Sequence, residues 1–341
     1  MLIAPVAALL YPFTLKAFNA SVTTITAAGS TGGALPWIAA AISLLLGFAV
    51  PTIALLMAMN FAEISAPSAA EVRAKRVALL AVAAPTIFTF VGVVLYMLHD
   101  PVPDSWALVV FWAILAVMVA RGDTERLAPT TVAPAPAGLR VAHGVSALAI
   151  IAIFLALHIS THLTGLAGPT TYDAVMKVFR HVYRTEVLQP VLVALLFFQI
   201  LTGIYFVWRY TGAPSDRFRT FQIASGVYLA IYILGHMNSV FVFARTYLGI
   251  DTGWGFATGA PTGLVQDAWN IRLVPHYALG VFFVLSHIAA GTRVVLMNNG
   301  VRKPIADRVM IGGASVAALI AAVIILGMCG LRLQFVGPSV T

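Results

Sequence analysis

Residues 143–162 read HGVSALAIIAIFLALHISTH, an apolar segment that contains three histidines. Its length matches the roughly 20 residues that a helix needs to cross a bilayer. Burying an imidazole in such surroundings costs free energy unless its ring nitrogens find partners. The segment therefore predicts a membrane helix whose histidines have specific partners.

The composition of the whole chain indicates the same environment. Of 341 residues, 60% are hydrophobic and only 9% are charged, and the mean hydropathy is +0.95. A water-soluble protein of this size could not bury so much apolar surface, so we expect an all-α integral membrane protein in contact with the lipid bilayer. The net charge of +8 is typical of topology-setting loops here and does not indicate nucleic-acid binding. The single cysteine, Cys329, excludes an internal disulfide framework and a Cys-based zinc or iron–sulfur site.

Eight apolar segments are long enough to span a bilayer. Their approximate bounds are 34–58, 77–98, 105–121, 141–165, 186–209, 221–246, 272–296 and 309–331. The first 20 residues are apolar but are interrupted by Pro5, Pro12 and Lys16. They lack the pattern of a secretory signal and predict an interfacial or partly re-entrant helix.

Lysine and arginine are distributed unevenly between the two sides of these spans. Thirteen of the twenty follow spans 1, 3, 5 and 7, namely Arg73, Lys75, Arg76, Arg121, Arg126, Arg140, Arg209, Arg217, Arg219, Arg293, Arg302, Lys303 and Arg308. Because cytoplasmic loops are enriched in basic residues, we expect these loops in the cytoplasm and both termini outside. The expected location is a bacterial inner (cytoplasmic) membrane.

A linker divides the chain into two membrane units. Residues 121–140, RGDTERLAPTTVAPAPAGLR, are polar and then rich in Pro and Ala, which is typical of an extended spacer. We predict an N-terminal unit of three spans (1–122), a linker (123–139) and a five-helix unit (140–341) that holds seven of the eight histidines. The segment 59–76, MNFAEISAPSAAEVRAKR, is typical of a solvated loop, and a docking surface is the alternative.

Two histidines of the five-helix unit lie at the same predicted depth. His158 is 17 residues into span 4 and His236 is 15 residues into span 6, a difference in height of about 3 Å. Axial imidazoles hold haem iron, and a helix bundle provides an apolar slot for the porphyrin. The pair predicts a bis-histidine haem b site, and the alternative is that each histidine is hydrogen-bonded to a neighbouring helix. Zinc fits less well because no acidic residue or cysteine accompanies the pair.

The other two histidines of the opening segment have different predicted roles. His162 lies one helical turn after His158, toward the outer surface. It is interpreted as an interfacial or quinone-facing polar residue, with a metal ligand as the alternative. His143 begins span 4, where we expect a solvated surface residue.

Motifs in Leu139–Leu331 carry a family resemblance. They are LRVAHG and ALHISTH in the first helix, YRTEVLQPVLVALLFFQILTG in the second, ASGVYLAIYILGH in the third and VLSHIAAG in the fourth. This unit resembles the five-helix, di-haem cytochrome b membrane anchor of the succinate dehydrogenase and fumarate reductase (succinate:quinone oxidoreductase) family. The resemblance implies haem ligands that pair the first helix with the third and the second with the fourth. It places His158 and His236 in one pair and His287 in the other.

The second helix departs from that family, because Gln199 stands where the family has histidine. Gly203 and Gly291 follow Gln199 and His287 by four residues each and would leave small surfaces for a porphyrin. Glutamine is a weak ligand for haem iron. The second site is therefore predicted to be empty or to hold something other than a six-coordinate haem. The alternative is a five-coordinate haem on His287, which could bind a small gas molecule.

A haem b in a membrane suits electron exchange with a quinone, which needs hydrogen-bond donors and a route for protons. Candidates at the outer ends of spans 4 and 5, each with a simple loop role as the alternative, are His162, Asp173, His181, Arg184 and Glu186. The sequence contains no phosphate-binding loop, dinucleotide fingerprint, HExxH motif or credible nucleophile triad. We therefore predict a haem b subunit that exchanges electrons with the quinone pool and serves a separate redox partner. The alternatives are a redox- or gas-sensing haem module and a haem-free assembly or carrier subunit.

Overall fold

The structure, a computed structural model, describes residues 1–29, 33–126 and 133–333. These residues form helices and no β-strand, which confirms the all-α prediction. The α-helices are α1 (Ile3–Ala28), α2 (Ala34–Ala62), α3 (Ala69–Val82), α4 (Ala84–Met97), α5 (Asp104–Ala120), α6 (Ala137–Ile150), α7 (Ala156–Thr164), α8 (Pro169–Tyr183), α9 (Leu188–Tyr210), α10 (Arg217–Met237), α11 (Trp254–Thr258), α12 (Leu273–Asn298) and α13 (Lys303–Met328). Two π-helical segments, Ile151–Leu155 and Asn238–Tyr247, continue α6 into α7 and extend α10.

Seven helical segments of the described residues are long and apolar enough to cross a membrane. They are Ile3–Ala28, Ala34–Ala62, Ala137–Ala167, Leu188–Tyr210, Arg217–Tyr247, Asn270–Asn298 and Lys303–Met328. Helices α3 and α4 meet this criterion only together, as a pair bent by 65°, and α5 is shorter. The apolar helices support an integral membrane protein with seven spans, or eight if the bent pair is one span.

The N-terminal segment, which was predicted to be an interfacial or partly re-entrant helix, forms one continuous helix, Ile3–Ala28, that includes Pro12. This helix is long and apolar enough to cross a membrane. Ala8 on α1 and Ala54 and Ala58 on α2 are fully buried. Such small residues let two helices approach closely. This packing against α2 stabilises α1 although it contains proline.

The segment interpreted as a solvated loop also differs, because its second half belongs to α3. Ser68 caps this helix: its hydroxyl accepts from the Glu71 backbone N–H, and the Glu71 carboxylate accepts from the Ser68 backbone N–H. Lys75 is only 3% exposed and donates to the Ala213 carbonyl at 2.8 Å. The solvated-loop interpretation is therefore wrong for these residues, which dock on the connection between α9 and α10.

The two predicted membrane units are packed together at both ends. At one end, the Arg76 guanidinium lies 4.0 Å from the centre of the Trp208 ring. At the other end, Arg272 forms a 2.6 Å salt bridge with Asp104. One cluster of buried hydrophobic residues runs through both units. Residues 127–132 of the predicted linker lie outside the described residues.

Candidate functional site

Five of the eight histidines, together with Ser225, lie on two levels of the bundle formed by α6, α7, α9, α10 and α12. We call the end that carries the connections α2–α3, α5–α6, α9–α10 and α12–α13 the basic end. The near tier, closer to that end, contains His143, Ser225 and His287, and the far tier contains His158, His236 and His276. His143 and His158 are 15 residues apart, close to four α-helical turns, and His276 and His287 are 11 residues apart, close to three. Each helix thus presents its two polar residues on one face.

The structure brings His158 and His236 together, as the sequence predicted. Their ring centres are 6.0 Å apart and the ring planes make an angle of 66°. A metal-bound imidazole nitrogen lies about 2 Å from its metal and its ring centre about 1 Å further, so two imidazoles on opposite sides of one ion have centres about 6 Å apart. Both side chains are only partly buried, and no hydrogen bond to either ring occurs in the described part of the chain. The pair therefore fits the axial ligands of a haem.

Aromatic rings hold both imidazoles in place. Phe154 is stacked on His158 with ring centres 4.9 Å apart, and Tyr232 is stacked on His236 at 5.6 Å and 8°. Gly280 makes room for the Tyr232 ring, because a Cβ at this position would collide with it. These contacts fix the ring orientations that a shared ligand requires.

Two further imidazoles border the far pair. His162 contacts His158 edge-on at 4.7 Å, and His276 lies 4.6 Å from Tyr232. Within the described ranges, Nδ1 of His162 and Nδ1 of His276 are buried without a hydrogen-bond partner. Buried polar atoms normally have a partner, so these nitrogens could serve a bound polar molecule such as a quinone. His276 was not predicted as a site residue, although its three-turn spacing from His287 is visible in the sequence.

Basic side chains cluster beside the far tier. Arg180 donates to both carboxylate oxygens of Asp251, at 2.9 and 3.1 Å, and to the backbone and side-chain oxygens of Thr252. Arg184 donates to the same Thr252 hydroxyl at 2.9 Å. Burial and the nearby Arg180 and Arg245 lower the pKa of Arg184 to about 10. In the described residues, Nε of Arg180 is buried without a partner. Three arginines facing one aspartate leave positive charge that could bind carboxylates such as haem propionates.

The predicted quinone-site residues lie in different environments of the structure. His162 lies in the ring cluster, and Arg184 lies in the arginine cluster. His181 is exposed, with Nδ1 2.8 Å from the Lys177 carbonyl, and Glu186 is exposed in the turn before α9. Asp173 accepts the Trp254 backbone N–H at 2.9 Å and so caps the short helix α11. The structure therefore groups His162 and Arg184 with the far tier, whereas Asp173 has a structural contact.

The near tier corrects one prediction. His143 is not a solvated surface residue, because it is partly buried and its Nδ1 lies 2.7 Å from the Thr202 hydroxyl of α9. Nδ1 of His287 lies 2.8 Å from the Ser225 hydroxyl of α10. Gln199 donates from its side-chain amide to the His143 carbonyl at 2.8 Å and to the Ser146 hydroxyl at 2.6 Å. Gly203 and Gly291 both border open space, since a Cβ added at either glycine would have no described atom of another residue within 4 Å.

The two π-helical segments are next to the far pair and were not predicted. Ile151–Leu155 ends three residues before His158, and Asn238–Tyr247 begins two residues after His236. A π-helical turn accommodates an extra residue and rotates the side chains that follow, and such turns are frequent at functional sites. Apolar composition alone carries no signal for them.

Comparisons with protein-family models, with curated proteins and with solved structures found no match. Among the residues that the structure describes, no group of three or more His, Cys, Asp or Glu is arranged to hold a metal ion. A zinc site of that kind thus receives no support, whereas a haem needs only two protein ligands because the porphyrin supplies the others.

Proposed function

We propose that this protein is a haem b membrane subunit that transfers electrons to or from the quinone pool and serves a separate redox partner. The observation that carries the proposal is the 6.0 Å separation of the His158 and His236 ring centres. It is supported by the resemblance of the five-helix unit to the cytochrome b anchors of succinate:quinone oxidoreductases. The proposed location is a bacterial inner membrane with the basic end in the cytoplasm.

The residues of the far tier divide the tasks of such a site. His158 and His236 would hold the iron from opposite sides, and the rings of Phe154 and Tyr232 fix the imidazoles. Arg180 has a spare buried N–H for a propionate. A bound haem supplies reversible one-electron chemistry to the site.

A quinone could approach the same tier. Reduction of a quinone needs hydrogen-bond donors at its carbonyl oxygens and a source of protons. The unpartnered Nδ1 atoms of His162 and His276 can donate to or accept from such a molecule. The arginine cluster that contains Arg184 lies at the C-terminal end of α8.

The proposal is tested by a pyridine haemochrome assay and a reduced-minus-oxidised spectrum of the purified full-length protein. We expect b-type bands, and we expect His158→Ala and His236→Ala each to lower the haem content by one equivalent per chain. His181→Ala is the matched control, because this histidine is exposed and lies outside the ring cluster. A wild-type protein without haem would falsify the proposal and would favour a haem-free assembly or carrier subunit.

A further inference from the structure

The hydrogen bonds of the near tier determine which ring nitrogen of His143 is free. The Thr202 hydroxyl donates its proton to the Phe198 carbonyl at 2.6 Å, so its oxygen accepts from His143 Nδ1–H. An imidazole that carries its proton on Nδ1 presents a lone pair on Nε2. This is the arrangement of a metal-bound histidine, whose second nitrogen usually donates to a neighbouring acceptor.

His287 is held in the same way from the opposite side. The Ser225 hydroxyl donates to the Gln222 carbonyl at 3.0 Å, so it accepts from His287 Nδ1–H. Nε2 of His287 therefore also carries a free lone pair. Equivalent contacts at Nδ1 therefore leave Nε2 available as a ligand atom on two imidazoles that lie on different helices.

The two rings lie at the same depth. Thr202, which binds His143, is eight residues before the end of α9 at Tyr210, and Ser225, which binds His287, is eight residues after the start of α10 at Arg217. Because these two helix ends are joined by the short segment 211–216, both rings lie about 12 Å from the basic end.

Gln199 has another task in this arrangement. Its amide N–H groups are bound to the His143 carbonyl and to the Ser146 hydroxyl, and the latter donates onward to the Ala142 carbonyl. Gln199 thereby fixes α6 against α9 at the level of His143. These contacts make it a positioning residue for His143 rather than a ligand.

The surroundings of the near tier combine open space with basic side chains. Gly203 and Gly291 border open space beside the tier. Toward the basic end lies a cavity of about 510 Å³ whose lining includes Arg140, Arg219 and Arg293. Arg293 is paired with Asp307 at 2.6 Å and with Asp216 at 3.6 Å, and among the described residues its Nη2 has no hydrogen-bond partner. Three arginines at the mouth of the tier could bind the carboxylates of a porphyrin.

We propose that His143 and His287 are the axial ligands of a second, six-coordinate haem, with His143 replacing the missing histidine at position 199. This inference rests on the proposed function, because it assumes that the chain binds haem. It differs from the family pattern in taking two ligands, His143 and His158, from one helix. The two haems would be separated along the bundle by the 11 to 15 residues between the tiers, or about 16 to 22 Å.

The test is the number of haems per chain and their spectra in purified full-length variants. We expect two low-spin haems in the wild type and one in His143→Ala, whose remaining spectrum is that of the His158 and His236 site. Added imidazole should restore the second low-spin signal in His143→Ala. His181→Ala is the matched control and should keep both haems, because this histidine is exposed and lies outside both tiers.

A second variant guards against misfolding of His143→Ala. Gly291→Phe leaves both proposed ligands unchanged but fills the open space beside them, and it should also lose one haem. The inference is overturned if His143→Ala keeps two low-spin haems. It is also overturned, with the proposed function intact, if the wild type binds one haem that only His158→Ala and His236→Ala remove. A wild type without any haem overturns both.

Discussion

Arg180 connects the far tier to the segment between the second π-helical segment and α11. It lies in α8, binds Asp251 and Thr252 in the segment after the second π-helical turn, and acts electrostatically on His158. The partner carboxylate is 73% exposed, whereas the arginine is 14% exposed. The guanidinium is thus held by a solvent-exposed anion while its Nε remains available on the buried side.

The ion pair of Arg180 predicts a pH-dependent stability. Although burial raises it, Arg180 and the Thr252 backbone N–H together hold the pKa of Asp251 below its usual range. A depressed folded-state pKa contributes stability that is present above the unfolded pKa of about 3.9 and is lost as the pH falls through the folded value. Because the carboxylate is exposed, Asp251→Asn should cost only about 0.2–1 kcal/mol at pH 7. Thermal unfolding in detergent should show a wild-type advantage at pH 7 that shrinks as the pH falls below the unfolded pKa of about 3.9; an advantage of equal size at pH 7 and in strong acid would contradict this account.

At the scale of helices, apolar length predicted most spans, but it did not predict how they bend or what they bury. The segment 77–98 was recognised as apolar, but the break at Ala83, where α3 and α4 meet at 65°, was not predicted, although Pro85 at the start of α4 is a signal for it. The π-helical segments lack a composition signal.

Part of the candidate site could be predicted from the sequence. The pairing of His158 with His236 followed from depth alone, since helical rise converts residue number into height. His143 was misinterpreted because position near a span end was taken as solvation. In the structure its Nδ1 lies 2.7 Å from the Thr202 hydroxyl of α9, a contact between helices that position along the chain does not predict.

Helix α1 makes a prediction about topology. If it crosses the membrane, Leu2 lies on the same side as the α2–α3 connection, whereas the eight spans predicted from the sequence place the N-terminus on the opposite side. In a Cys329→Ser background, Leu2→Cys and Val102→Cys introduce single cysteines at exposed positions on opposite sides. With a membrane-impermeant maleimide on intact cells, we expect labelling of Val102→Cys, and labelling of Leu2→Cys only after permeabilisation. Labelling of both in intact cells would support the interfacial or re-entrant alternative.

In the whole molecule, helices of the N-terminal unit pack directly against the helices that carry the far tier. Phe90 of α4 packs against Gly235, next to the proposed ligand His236, where a Cβ would lie 3.1 Å from the Phe90 side chain. At the far end, Arg272 is buried between the rings of Phe88 and Trp269 and is paired with Asp104. The N-terminal helices therefore support the face of α10 that carries the far tier.

This packing predicts that the two units stay associated without a covalent connection. A protease site inserted between Arg126 and Ala133 allows the purified protein to be cut, and we expect both fragments to co-elute in size-exclusion chromatography in detergent. The matched variant Asp104→Ala leaves the Arg272 guanidinium, whose side chain is 6% exposed, without its counter-ion. Removing one partner of a buried ion pair costs roughly 3–5 kcal/mol, so fragments of the cut variant should separate at a lower temperature than those of the cut parent. Separation of the parent fragments immediately after cleavage would show that the three-span unit and the five-helix unit are independent bodies.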